Sequence, residues 1–142
     1  MKTKYNTKKI ISILSLPLSE LLYKAQKVHR KNFKNNHVQL ASLISIKTGS
    51  CPEDCKYCPQ SAHYNVELKK EKLINLFSLE NAAIKAKQNG ATRFCMGAAW
   101  RKLNNGKDLD TVIQMIKKVK SLDLEACVTL GTITKKQAIK LK

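Results

Sequence analysis

Three short runs of aliphatic and β-branched residues, each followed by a loop and then a helical pattern, constrain this chain more than any other feature. Residues 38–47 (VQLASLISIK), 92–98 (TRFCMGA) and 124–130 (LEACVTL) have the length and density of buried strands. Between the first two, Leu79, Ala82, Ala83 and Ala86 recur at helical spacing, with Ser78 as the expected cap and Gly90 as the stop. Between the second and third, Leu109, Val112, Ile113, Ile116 and Val119 predict the buried stripe of a helix over 109–122. Thr134 followed by Gln137 is a capping-box pattern that opens a further helix, which reads as cut short at Lys142.

Strand, loop and helix in repetition imply parallel strands joined by crossovers, and therefore an α/β fold. A parallel sheet buries both faces, while helices over one side cover only one. The other face is expected to be apolar and to belong to something larger, so the segment 38–142 reads as the first three βα units of a TIM-type (βα)8 barrel, incomplete in this chain.

Residues 1–37 read as a helical extension ahead of that domain. Lys2, Lys4, Lys8 and Lys9 before the apolar stretch Ile10 to Leu16 imitate an export signal. Pro17, Ser19 and Glu20 interrupt the run, and no small-residue cleavage site follows. Instead Leu18, Leu21, Leu22, Ala25 and Val28 fall on the stripe of an amphipathic helix over 18–32. No apolar run is long enough to span a bilayer, so a cytoplasmic location and no membrane partner are expected. The formal charge of +17 is spread along the chain and only 6% of residues are aromatic, which argues for a solvated surface and against a nucleic-acid partner.

Five cysteines without an export signal point to metal or catalytic chemistry and away from disulfides. Cys51, Cys55 and Cys58 fall within eight residues on the loop leaving the first strand, where α/β enzymes keep their chemistry. Thiolates are soft ligands for zinc or iron-sulfur clusters. Zinc usually takes four protein ligands in two close pairs, and here there are three, with His63 either a fourth ligand or solvated. Three suit a cubane cluster with one iron left open. Cys95 and Cys127 lie mid-strand, either facing each other across the sheet or as unconnected core thiols. Arg93 shares a face with Cys95 and Gly97, and Glu125 shares one with Cys127 and Thr129. The guanidinium needs an anionic partner, which a cluster sulfide, a cofactor carboxylate or Glu125 could supply.

The string CPEDCKYCPQ, with Tyr57 before the last cysteine, resembles the CxxxCxxC motif of radical S-adenosylmethionine enzymes. SIKTGSCPEDCKYCPQSAHY, TRFCMGAAWR and LEACVTLGT, in that order, and LPLSELLYKAQKVHR near the start resemble the biotin synthase family. The resemblance implies a 4Fe-4S cluster on Cys51, Cys55 and Cys58, with S-adenosylmethionine on its fourth iron as the source of a 5'-deoxyadenosyl radical. It implies a 2Fe-2S cluster with Cys95 and Cys127 among its ligands, the remaining cysteine and an arginine coming from later strands. Tyr57 and Arg93 are cofactor-binding candidates. The implied reaction is sulfur insertion into dethiobiotin to form biotin, fed by an electron donor such as flavodoxin or ferredoxin, in a homodimer when full length. Competing expectations are another radical S-adenosylmethionine enzyme, a basic zinc-binding module, and an inactive truncated product. His29, His37 and Trp100 carry no assigned role.

Overall fold

The computed structural model describes residues 6–33 and 37–142. Lys2 and Lys4 of the leader-like pattern lie outside the described residues. The chain divides into two compact units, Met1–Val38 and Gln39–Lys142.

The first unit is helical. α1 (Thr7–Leu14) begins where the Asn6 side chain accepts from the Lys9 backbone N–H at 2.9 Å. The leader-like stretch from Ile10 is therefore mostly helix, because Asn6 supplies a cap that the charge pattern alone does not reveal. α2 (Leu18–Asn32) matches the expected periodicity, with Glu20 in its first turn and His29, Arg30 and Lys31 in its last, charges that complement the helix dipole. His29 stacks on Phe33, with ring centroids 5.1 Å apart. No residue of either helix is buried, and Leu18, Leu22 and Val28 of the expected stripe are exposed.

The second unit alternates β1 (Ala41–Lys47), α3 (Leu76–Gln88), β2 (Arg93–Ala98), α4 (Lys107–Ser121), β3 (Glu125–Thr129) and α5 (Lys135–Leu141). The strands form one parallel sheet in the order β1-β2-β3. α3 is capped by Asn75, whose side chain accepts from the Ser78 N–H at 2.8 Å. Ser78 is thus the residue that donates to the cap and not the cap itself. A capping box joins Thr134 and Gln137 at the start of α5, as the spacing predicts.

Period-two alternation divides the sheet cleanly. Ile46, Phe94, Met96 and Leu130 are buried with Leu79, Ala83 and Ala86 of α3 and Leu109, Val112, Met115 and Val119 of α4. Each large side chain in this layer contributes roughly 1.5–3 kcal/mol by leaving water. Met115 replaces Ile113 and Ile116 at the centre of the α4 stripe; those two are only partly buried against the core. The opposite face carries three cross-strand rows, Ala41–Arg93–Glu125, Leu43–Cys95–Cys127 and Ser45–Gly97–Thr129. This face is not the apolar surface expected from the strand composition. Leu43 is its one large aliphatic residue, and the rest is small, polar, charged or thiol, which marks a face built for chemistry more than for packing.

Among the described residues, no helix is long and apolar enough to cross a membrane.

Candidate metal centre

The chain leaves β1 through a sharp turn. Gly49 and Ser50 have φ of 72° and 54°, the left-handed region. A Cβ at Gly49 would press on the Lys70 side chain at 3.3 Å, so glycine suits both the turn and the close approach.

Beyond the turn, the cysteine loop is fastened by its own polar groups. Gly49 N–H donates to Gln60 Oε1 at 2.6 Å. Cys51 N–H donates to the Gln60 carbonyl at 2.9 Å, and Ala62 N–H donates to the Cys51 carbonyl at 2.8 Å. Ser61 is buried, and its hydroxyl donates to the Glu53 carbonyl at 2.5 Å. Glu53 in turn pairs with Arg101 beyond β2, Nε to Oε1 at 2.7 Å. Tyr64 Oη donates to Asp54 at 2.5 Å, and this bond, with a little burial, raises the phenol above its ordinary pKa.

Cys51 and Cys58 are half-buried, whereas Cys55 is exposed. Cys51 and Cys58 line one cavity of about 260 Å³ together with Gln60, Trp100 and the open-face residues Leu43, Ser45, Gly97 and Thr129. Cys55 is not part of that lining, and among the described residues no three Cys, His, Asp or Glu side chains converge as a ready-made ion site. The donor set nevertheless suits an iron-sulfur cluster: three free thiols on one loop, two of them at a cavity that opens on the sheet face. His63 has its Nε2 3.0 Å from the Pro52 carbonyl, so its ring is engaged within the loop. Tyr57 is 92% exposed and does not line that cavity.

On the sheet, Cys95 and Cys127 are register partners on adjacent parallel strands. Burial pushes the Cys95 thiol up, and its hydrogen bond with Cys127 adds to the effect, outweighing the downward pull of Arg93. Arg93 is forked onto Glu125, Nε to Oε2 at 3.1 Å and the terminal nitrogen to Oε1 at 2.6 Å, so the partner within the sheet is the one it takes here. Arg93, and then Gln39 at 2.7 Å, hold the Glu125 carboxyl below its ordinary range.

Sequence reasoning singled out the cysteines and missed what holds their loop. Gln60 and Ser61 follow the last cysteine within three residues, and that concentration of polar groups was the available signal. Trp100 enters the cavity from the loop after β2, and Thr129 from the end of β3, where the register sets it in one row with Ser45 and Gly97.

No protein-family model matches the chain. Among curated proteins, the biotin synthase of Hahella chejuensis is 52% identical over 137 residues, which cover 96% of this chain and 38% of that protein. The biotin synthase of Zymomonas mobilis is 55% identical over 131 residues, 92% of this chain and 39% of the relative. That of Myxococcus xanthus is 49% identical over 138 residues, 97% and 40% respectively. The chain therefore spans about two-fifths of the length of the curated relatives it matches.

Proposed function

The chain is homologous to the biotin synthases over more than nine-tenths of its length, and on that premise we propose that it forms part of an enzyme that inserts sulfur into dethiobiotin. Residues 1–37 are a helical extension and 38–142 the first three βα units of an eight-unit barrel whose interior is the open sheet face. In that enzyme a 4Fe-4S cluster with S-adenosylmethionine supplies the radical chemistry and a 2Fe-2S cluster supplies the sulfur.

The residues of this chain have separable tasks. Cys51, Cys55 and Cys58 furnish three thiolates to the first cluster. Gln60 and Ser61 hold their loop in shape, and Trp100 walls the cavity beside it. Cys95 and Cys127 furnish two thiolates to the second cluster. Arg93 keeps a positive charge beside that thiol pair, oriented by Glu125, and Tyr57 is a cofactor contact at the edge of the triad. An electron donor such as flavodoxin or ferredoxin, a homodimer and a cytoplasmic location belong to the same proposal.

The observation that carries it is spatial. Cys95 and Cys127 stand in register on the face whose next row, Ser45, Gly97 and Thr129, lines the cavity that also contains Cys51 and Cys58. Two thiol sites thus share one surface, so that a substrate seated on it would lie within reach of the groups held at both. Anaerobic reconstitution with iron and sulfide tests this. Roughly four irons per chain, lost in Cys55→Ala and retained in Cys95→Ala, are expected for a cubane on the triad. Colourless protein holding one zinc would instead favour the basic metal-binding module.

A further inference from the structure

β1 and β2 pair residue for residue from Ala41 to Ser45, and then the register slips, so that Lys47 and not Ile46 stands opposite Ala98. The slip has the form of a bulge at the end of β1, a device that re-aims one side chain. Here it sends the Lys47 ammonium to two carbonyls, Gly49 at 2.7 Å and Ala99 at 3.0 Å. The Lys47 carbonyl in turn accepts from the Ala99 N–H at 2.9 Å. A half-buried lysine is a costly group to place, and charge-assisted bonds to two carbonyls are what make the placement stable.

Both carbonyls sit where they matter. Gly49 is the left-handed turn residue two positions before Cys51, and Ala99 lines the cavity with Cys51 and Cys58. We propose that Lys47 is the positioning residue of the cysteine loop, its ammonium tying the loop's entry to the end of β2 and thereby holding Cys51 and Cys58 at the cavity. This rests on the triad being the metal site and adds the group that sets its geometry.

The test uses the metal-free full chain, with the alkylation rate of each cysteine by iodoacetamide read by mass spectrometry. Lys47→Met keeps the stem and removes the charge and donors; Lys47→Arg restores them. Loss of charge alone would disfavour nearby thiolates and slow alkylation. Release of the loop does the opposite. Lys47→Met is expected to speed alkylation of Cys51 and Cys58 about tenfold, the low end for losing a hydrogen bond to a charged group. Cys95 and Cys127 should be unchanged, and Lys47→Arg should return the rates towards the starting protein.

Unchanged or slower rates at Cys51 and Cys58 overturn the proposal, as does an equal rise at all five cysteines, which would report general unfolding. The same variants are then reconstituted with iron and sulfide and challenged with a chelator, faster iron loss from Lys47→Met being expected. Failure of the unsubstituted chain to take up iron would count against the triad as a metal site and leave the alkylation ratios to decide Lys47.

Discussion

Gly131 follows β3 and has φ of 71°, and a Cβ built on it falls against the backbone carbonyls of Trp100 and Arg101 in the loop after β2. Thr132 N–H donates to the Arg101 carbonyl at 2.9 Å, so these loops cannot part without losing a hydrogen bond. Gly90 is the natural control. It closes α3 with φ of 85°, and its Cβ would meet only Leu40 at 3.7 Å, ordinary contact. Alanine at either site incurs the left-handed penalty, about 1–2 kcal/mol. Only Gly131→Ala also collides with backbone, and forced overpacking costs typically about 1–3 kcal/mol more. Gly131→Ala should therefore destabilise by about 2–5 kcal/mol against about 1–2 kcal/mol for Gly90→Ala. Urea unfolding followed by far-ultraviolet circular dichroism gives both values. Fluorescence of the single tryptophan, Trp100, reports locally on the displaced loop. A Gly131→Ala cost no greater than that of Gly90→Ala, with Trp100 emission unchanged, would refute the claim that the loops after β2 and β3 are locked together.

The buried Gln137 amide gives a second prediction. It donates to the Leu103 carbonyl at 2.9 Å and to Asn105 Oδ1 at 3.0 Å while its oxygen accepts from the Thr134 N–H at 2.8 Å, so Gln137→Met should cost about 1–3 kcal/mol in urea unfolding by stranding these groups. The Arg93–Glu125 pair gives a third. Because Glu125 titrates lower in the folded chain than in the unfolded chain, its contribution is present above the ordinary carboxylate range and lost as pH falls through the depressed folded pKa. Arg93→Met should flatten that acid-side fall in the urea midpoint, and an unaltered pH profile would show that the pair does not contribute.

The strands, the helices from α2 onward and the thiol positions follow from local chemistry, and so the sequence by itself determined them. Period-two alternation put Cys95 and Cys127 on one kind of face, 3.6-residue periodicity placed Leu79 and Val112 in the core, and the Thr134–Gln137 spacing announced a capping box. What depends on residues far apart in the chain was decided only by the tertiary structure. A strand run cannot show which neighbour it slips against, so the bulge that aims Lys47 at Ala99 was not legible. Alternation offered Glu125 as one partner for Arg93, but that the guanidinium forks onto it, and that Leu43 is the one large aliphatic residue of the uncovered face, appears only when three strands register. The cavity is the clearest case. Cys51, Gly97, Trp100 and Thr129 come from three βα units, and only the parallel sheet, by bringing the C-terminal ends of its strands to one edge, makes them neighbours.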